Sequence, residues 1–183
     1  WRRRIEKNPA RGREGRCAVL EIRLAEAGDL PVILEIYRRA RRFMAENGNP
    51  TQWGDGHPPR QLLEADVAAR RLYAVTDGGR VCGAFAFVIG PDPTYARIDG
   101  GRWRSDAPYG TIHRIAGDGT VRGVLAAAVA WGWGQIPHLR IDTHADNRVM
   151  RHLVEKLGFR PCGTIYVQDG SPRIAYEKLP EDG

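Results

Sequence analysis

A glycine-bearing turn between a predicted strand and a predicted helix is the first feature of this sequence that suggests chemistry. The turn is Gly117-Asp118-Gly119-Thr120, and the predicted helix covers residues 121–133. Unpaired backbone N–H groups and the helix dipole favour the binding of an anion, such as a phosphate group, at such a turn. The segment lacks the lysine of a P-loop and the complete dinucleotide-binding fingerprint. The turn alone therefore fits either a phosphate site or a purely structural turn.

His113 is the first candidate for moving a proton near this turn. It lies on the strand that leads into the turn, and an imidazole with an unperturbed pKa of about 6.5 can accept a proton at neutral pH. Strict alternation along the strand predicts that His113 shares a face with Ile115 and Gly117. A histidine can also fill a polar niche in a sheet, so a structural role stays open.

His144 is the rival candidate. It follows the predicted strand 139–143 and lies beside two carboxylates, Asp142 and Asp146. This group of side chains could orient a proton acceptor, or it could serve the start of the following helix. Because aspartate is a favoured N-cap residue, we expect Asp146 to cap that helix.

The periodicity of apolar residues predicts the elements that must position these groups. Residues 20–24 alternate apolar and polar as a half-buried strand does, whereas residues 30–46 repeat apolar positions every three or four residues, as a helix on a core does. The predicted strands are 20–24, 71–76, 80–89, 109–116, 139–143, 159–167 and 173–179, and the predicted helices are 30–46, 61–69, 121–133 and 147–157. The order β-α-α-β-β-β-α-β-α-β-β predicts a mixed α/β fold.

Composition and charge predict one globular domain behind a basic arm. The 183 residues are 42% hydrophobic and 27% charged, and no apolar run approaches the ~18 residues that span a bilayer. Most of the net charge of +6 lies in residues 1–16, which carry seven basic and two acidic groups. We therefore expect residues 1–18 to form a basic, disordered arm and residues 19–180 to form a single domain.

The cysteines and the first residues predict a cytoplasmic protein without structural disulfides. Cys17, Cys82 and Cys162 are scattered, and no two have the spacing of a metal site. We therefore expect reduced thiols and no metal. No apolar stretch of a secretory signal follows the basic start, which favours the cytoplasm.

The segment 147–159 carries a resemblance to a known family. Its spacing is that of the Asn, Leu-Tyr-Glu-Lys and Gly-Phe positions in the GNAT superfamily of acyl-CoA-dependent N-acetyltransferases. The matching residues are Asn147, Leu153, Glu155, Lys156, Gly158 and Phe159. From about residue 22 to 179 the sequence resembles this superfamily, and the order of elements agrees. The resemblance implies a GNAT-like fold in which two central strands splay apart.

The resemblance extends to the pyrophosphate loop of the family, whose pattern is Gln/Arg-x-x-Gly-x-Gly/Ala. Arg122, Leu125 and Ala127 occupy the three defined positions, so leucine replaces the central glycine. Gly123 lies next to this departure and could supply part of the lost clearance. If Leu125 crowds the loop, Leu125→Gly should bind CoA more tightly.

Acetyl-CoA is the cosubstrate that the resemblance implies. It would lie where the strand ending near Gly117 splays from the strand ending near Thr143. Its pantetheine would pair with main chain there, and N–H groups of residues 118–123 would hold its pyrophosphate. The implied cofactor-binding residues are Ile115, Ala116, Gly117, Asp118, Gly119, Thr120, Val121, Arg122, Gly123, Val124, Ala127 and Asn147.

Catalytic and substrate-binding residues also follow from the resemblance. His113 would accept the proton because its strand face points toward the implied thioester, with His144 as the alternative. The usual acid of the family is a tyrosine, but Val154 occupies that position. Tyr166 or Tyr109 could replace it, or the thiolate could leave unaided. Trp53, in the loop 47–60, could line the substrate pocket or fold back over the core. The substrate candidates are Trp53, Tyr109 and Arg173.

The activity implied by the resemblance is N-acyl transfer. An acetyl or other short acyl group would pass from acyl-CoA to a primary amine of a small molecule or peptide, by direct attack in a ternary complex. The departures at Leu125 and Val154 leave a second function open, a non-catalytic acyl-CoA-binding or sensor module. Nucleic-acid binding would depend on the basic arm alone, so neither nucleic acid nor a membrane is expected as a partner. The amine and the oligomeric state stay open, with a homodimer as one outcome.

Overall fold

The computed structural model describes residues 19–182, and within them the predicted mixed α/β fold is confirmed. Seven strands form one sheet: β1 (Leu20–Leu24), β2 (Leu72–Asp77), β3 (Arg80–Ile89), β4 (Gly110–Gly117), β5 (Leu139–Thr143), β6 (Arg160–Tyr166) and β7 (Pro172–Lys178). Four helices accompany it: α1 (Leu30–Glu46), α2 (Arg60–Ala68), α3 (Val124–Gln135) and α4 (Arg148–Lys156). None of these helices is long and apolar enough to cross a membrane. The predicted basic arm, residues 1–18, lies outside the described residues.

Two predictions about helix starts are wrong, and local geometry gives the reason. α3 begins at Val124 rather than at residue 121, because Gly123 directly before it has a left-handed backbone with φ of +90°. α4 begins after Asn147, whose side-chain oxygen accepts a hydrogen bond from the Met150 N–H at 3.1 Å. Asn147 is therefore the N-cap of α4, and Asp146 is not.

The sheet has the strand order β1-β2-β3-β4-β5-β7-β6, and only β4 and β5 are parallel neighbours among the described strands. These two strands pair at two positions, Gly110 with Leu139 and Thr111 with Arg140. Beyond Thr111 they separate, while β3 continues along β4 and β7 continues along β5. The predicted splay is thus present, and we call the opening between β4 and β5 the wedge.

A buried charge cluster fixes the closed end of the wedge. The Glu177 carboxylate on β7 is fully buried, accepts a hydrogen bond from Arg140 Nε at 2.9 Å, and lies 2.9 Å from His138 Nε2. The Arg140 guanidinium lies between two rings, 4.0 Å from the centroid of Trp103 and 3.9 Å from that of Tyr109. Because Arg140 is the last residue of β5 that pairs with β4, this cluster anchors the two strands where they begin to diverge.

β4 contains a bulge just beyond this closed end. His113 and Ala116 pair with residues of β3 that are two apart, so Arg114 and Ile115 together oppose a single residue. Arg114 has φ of +52°, which is uncommon for a residue other than glycine. Surrounding structure must hold such a conformation in place.

Two helices supply that support. The Tyr37 hydroxyl on α1 donates to the Arg114 carbonyl at 2.7 Å. The Arg114 guanidinium is paired with Asp66 of α2, whose fully buried carboxylate also accepts from Arg71 Nε at 2.6 Å. The bulge is therefore fixed by contacts that are distant in sequence.

The bulge decides which residues of β4 face which helices. Ala116 packs with α1 residues such as Ile33, on what we call the α1 face of the sheet. Ile112 and Ile115 pack with residues such as Val124, on what we call the α3 face. The wedge therefore opens onto both faces of the sheet, one packed against α1 and the other against α3.

Candidate active site

β4 presents an unpaired backbone edge inside the sheet. At its start the Gly110 N–H donates across to the β5 side at 2.9 Å, whereas just after its end the Asp118 N–H donates to the Cys82 carbonyl of β3 at 2.9 Å. Backbone groups alternate sides along a regular strand, so counting back from Asp118 directs the Gly117 N–H, beyond the bulge, into the wedge. Within residues 19–182, no strand pairs with β4 there. An extended ligand with amide groups could pair with this edge as an added strand does.

One acidic side chain holds the turn that follows β4. The Asp118 carboxylate accepts hydrogen bonds from the Thr120 N–H at 2.9 Å and from Arg80 at 2.6 Å. Burial works to raise the pKa of Asp118, but the hydrogen bonds from Thr120 and Arg80 outweigh it and lower that pKa. The N–H groups of Asp118 and Thr120 therefore have partners inside the protein. The prediction that all N–H groups of residues 118–123 face the cofactor is wrong for these two.

The remaining donors lie at the start of α3. In the part of the chain that the structure describes, the N–H groups of residues 121–126 have no hydrogen-bond partner. Gly119 and Gly123 have φ of +80° and +90°, and no atom lies within 4 Å of a Cβ built at either position. An open space beside free N–H groups at a helix N-terminus fits the diphosphate of CoA.

Leu125 does not crowd this turn. It is the second residue of α3, and its buried side chain belongs to the core cluster between α3 and the sheet. Gly123 supplies the left-handed backbone that the turn needs. The condition under which Leu125→Gly would tighten CoA binding is therefore not met, because glycine would remove core packing instead of opening the loop.

The predicted alternation of His113 with Ile115 and Gly117 is wrong because of the bulge. His113 pairs with Ala86 of β3, and Gly117 pairs with Gly83. Because Ala86 and Gly83 are three residues apart on β3, they face opposite sides of the sheet, and so do their partners. His113 consequently lies on the α1 face, whereas α3 begins on the other. A substrate beside His113 and a cofactor at the start of α3 would reach the wedge from opposite faces of the sheet.

A carboxylate holds His113. The Nε2 atom lies 2.8 Å from Asp92 Oδ2, and the side chain is 19% exposed. Burial works to raise the pKa of Asp92, but hydrogen bonds from His113 and Thr94 outweigh it and hold that pKa at about 2. Ionised Asp92 therefore accepts the Nε2 proton, which leaves Nδ1 of His113 free to accept another. The Tyr109 hydroxyl accepts a hydrogen bond from the Asp92 N–H at 3.0 Å, so this predicted substrate residue supports Asp92.

Asp142 of β5 is a second carboxylate near His113. Its Oδ1 atom accepts a hydrogen bond from the Tyr95 hydroxyl at 2.7 Å, and the Tyr95 and His113 rings lie 6.2 Å apart. Burial raises the pKa of Asp142, although the hydrogen bond from Tyr95 opposes this rise. We did not predict the pair of Asp142 and Tyr95. An aspartate on the otherwise buried strand β5 was the available signal.

Arg173 of β7 lies on the same face as Asp142. Ala175 pairs with Asp142, and Arg173 is two residues earlier on the strand. Its side chain is buried, with the residue only 7% exposed. It donates to the Gln52 carbonyl at 3.2 Å and to two oxygens of its own turn at 2.9 Å.

The loop between α1 and α2 covers this region. Trp53 is half-buried, packs against the α1 core, and meets Tyr37 edge-to-face with 5.6 Å between the ring centroids. The His57 ring lies 6.3 Å from that of Trp53. The Gln52 side-chain oxygen accepts a hydrogen bond from Asn147 Nδ2 at 3.0 Å. Asn147, a predicted cofactor residue, thus ties the loop to the start of α4.

We call this group of side chains the α1-face site. Its members lie on three neighbouring strands and the two loops that cover them, and they are Asp92, His113, Asp142, Arg173 and His57. Two other predicted catalytic residues have different partners. Tyr166 ends the edge strand β6 beneath the Arg97 guanidinium, whose carbon lies 5.0 Å from the ring centroid. His144 Nδ1 accepts a hydrogen bond from the Asp146 N–H at 3.2 Å in the turn before α4.

Comparison with solved structures finds close neighbours, whereas no protein-family model and no curated protein matches the chain. A GNAT-family acetyltransferase from Streptococcus agalactiae 2603 is 31% identical, with 87% of this chain and 95% of that chain covered and a TM-score of 0.77. A GNAT-family acetyltransferase from Listeria monocytogenes 4b F2365 is 17% identical, with 87% and 94% covered and a TM-score of 0.63. A "histone acetyltransferase HPA2 and related acetyltransferase" from Corynebacterium glutamicum ATCC 13032 is 22% identical, with 88% and 96% covered and a TM-score of 0.57.

The second and third of these neighbours show the fold alone. The first shows the family, because 31% of residues are identical over almost the whole length of both chains. The splayed central strands and the order of elements agree with the resemblance found in the sequence. The chain belongs to the GNAT family of acetyltransferases.

Proposed function

We propose that the protein transfers an acetyl group from acetyl-CoA to a primary amine, by direct attack in a ternary complex. The observation that carries this proposal is the pair of His113 and Asp92 beside the open edge of β4. This pair would act as a proton acceptor on the α1 face, across the wedge from the free N–H groups at the start of α3. Membership of a family of acetyltransferases supports the same reaction class.

The residues that would hold acetyl-CoA are mostly main chain. The edge of β4 at Ile115 and Gly117 would pair with the pantetheine arm, and N–H groups of residues 121–124 would bind the diphosphate. When bound, acetyl-CoA supplies the acyl group as an activated thioester. Arg122 is exposed at the start of α3, where its charge would favour an anion.

His113 would take the proton from the amine at Nδ1. Asp92 would fix the tautomer of His113 by accepting a hydrogen bond from Nε2–H. The Tyr109 hydroxyl holds Asp92 by accepting a hydrogen bond from the Asp92 backbone N–H. This is the arrangement in which a carboxylate orients a general base and stabilises the imidazolium that forms. Asp142 lies on the same face and would hold the incoming ammonium, which gives its first proton to solvent before the neutral amine attacks and gives its second proton to His113.

We assign no side chain to protonate the departing thiolate. Val154, at the usual tyrosine position of the family, is fully buried in the core, and Tyr166 lies on an edge strand. A thiol with a pKa of about 8.5 is a tolerable leaving group. The reaction therefore needs the base more than it needs an acid.

Release of free thiol tests this function. The protein should release CoA thiol from acetyl-CoA when a suitable primary amine is present and should release little without one, as a thiol-reactive dye would show across a panel of amines. Binding of CoA with no amine-dependent thiol from any member of the panel would contradict the proposal. That outcome would favour the second function, an acyl-CoA sensor.

A further inference from the structure

We propose that the amine substrate carries its own carboxylate, as a free amino acid does, and that Arg173 binds that carboxylate. The inference rests on the proposed function, because it assigns the amine end of the substrate to His113. It names both ends of the molecule that the α1-face site would take.

Arg173 is a buried cation without a carboxylate partner. The residue is 7% exposed, and within residues 19–182 it belongs to no ion pair. Its hydrogen bonds all reach neutral oxygens: the Gln52 and Pro172 carbonyls and the Ser171 hydroxyl. Burial lowers the pKa of Arg173, although the charges of Asp142 and Asp169 oppose this fall. Buried charges are normally paired, so an anion is the ligand that this position lacks.

Two other arginines of the protein show the contrast. Arg140 is 4% exposed and bonds to Glu177, and the half-buried Arg114 bonds to Asp66. Asp169 is the acidic residue in the turn before Arg173, but it is exposed and its carboxylate accepts the Ser171 N–H at 2.8 Å. Arg173 therefore has no carboxylate partner within the described residues, whereas Arg140 and Arg114 each have one.

The α1-face site has a positive and a negative end. Arg173 marks the positive end, where its guanidinium donates a hydrogen bond to the Gln52 carbonyl of the covering loop at 3.2 Å. Asp92 and Asp142 mark the negative end around His113. An ammonium group is favoured at the negative end and a carboxylate at the positive end. A zwitterion meets both requirements with one molecule.

The distance between the two ends suits a small substrate. Asp142 pairs with Ala175, and Arg173 lies two residues along β7, so Asp142 and Arg173 are diagonal neighbours on adjacent strands. Such neighbours lie about 7–8 Å apart, and both side chains can reach inward over that span. The lysine side chain of a protein offers an amine but no carboxylate at this spacing. A free amino acid offers both.

Calorimetry on the CoA-saturated protein tests the inference without needing turnover. The probes are the common free amino acids and the carboxamide of each, which keeps the amine and removes the negative charge. We expect at least one amino acid to bind about 30-fold or more tightly than its own carboxamide, because one end of a buried charge pair is then missing. Arg173→Met should remove this preference, and Arg173→Lys should keep part of it. Arg39→Met, which removes an exposed charge paired with Glu35, should leave it intact.

Equal binding of amino acids and carboxamides by the wild type would overturn the inference, and so would the absence of amino-acid binding. Because that comparison needs no variant, it stands even if Arg173→Met fails to fold. Thiol release with simple amines, but no carboxylate preference in binding, would contradict only the inference. A carboxylate preference in binding, with no thiol release from any amine, would contradict only the proposed transfer reaction.

Discussion

Replacing His113 with glutamine should lower turnover about 100-fold or more and leave CoA affinity nearly unchanged. Glutamine keeps the size and hydrogen bonding of the side chain but cannot take a proton near neutral pH, and this is the usual worth of a general base. His113 lies on the α1 face, away from the free N–H groups at the start of α3, so cofactor binding should not depend on it. Steady-state rates and calorimetry with CoA measure the two quantities separately.

The pH dependence of turnover supplies the control. A general base must be unprotonated to act, so turnover of the wild type should fall toward acid, and this limb should disappear or move in His113→Gln. Asp92 cannot produce a limb near neutral pH, because its pKa is about 2 and it stays ionised. Burial raises the pKa of Asp142, so the pH profile of Asp142→Asn should be measured as well. A limb that persists in this variant does not come from Asp142. If His113→Gln keeps both rate and limb while His144→Gln loses them, the base is His144, directly after β5, and our assignment fails.

The second large effect concerns stability. Asp66→Asn should lower the free energy of unfolding by about 3 kcal/mol, because it removes one partner of a buried charge cluster. The Asp66 carboxylate is fully buried and is shared by Arg71 and Arg114. Arg114, whose side chain is only 17% exposed, would lose its carboxylate partner, and the chain would have to keep φ of +52° without that support. Urea unfolding would measure the loss.

The matched control for Asp66→Asn is Glu64→Gln on the same helix. Glu64 forms an exposed ion pair with Arg60 at 2.7 Å, and such pairs contribute little. Its loss should change the free energy of unfolding by no more than about 0.5 kcal/mol. A similarly small cost for Asp66→Asn would show that the bulge in β4 does not depend on Asp66.

The sequence predicts the helices and strands, but it does not predict which side of the sheet each side chain of β4 faces. Period-two alternation located β4, yet it placed His113 with Ile115 and Gly117 because alternation assumes a regular strand. The bulge depends on Tyr37 and Asp66, which are 77 and 48 positions from Arg114. Contacts at such separations leave no mark in a local pattern. The assignment of His113 as a base stays a prediction, and its support is now the pair with Asp92 instead of a face shared with Ile115 and Gly117.

The turn after β4 shows a similar limit. Matching the family motif position by position suggests that Leu125 crowds the turn. In the structure Gly123 has the left-handed backbone, and Leu125 is buried in the core. The pair of Asp142 and Tyr95 was missed because Tyr95 comes from the turn-rich segment 90–108, where no periodicity predicts a direction. Recognition of the family was possible because its most specific segment, residues 147–159, is local in sequence.

Backbone hydrogen exchange with and without CoA tests the central claim most directly. The claim is that the wedge between β4 and β5, together with the start of α3, is the cofactor site. CoA should slow amide exchange across residues 115–127 and at the start of α4, and it should change the α1–α2 loop less. Protection confined to residues 48–59, with none at the end of β4 or the start of α3, would contradict the account.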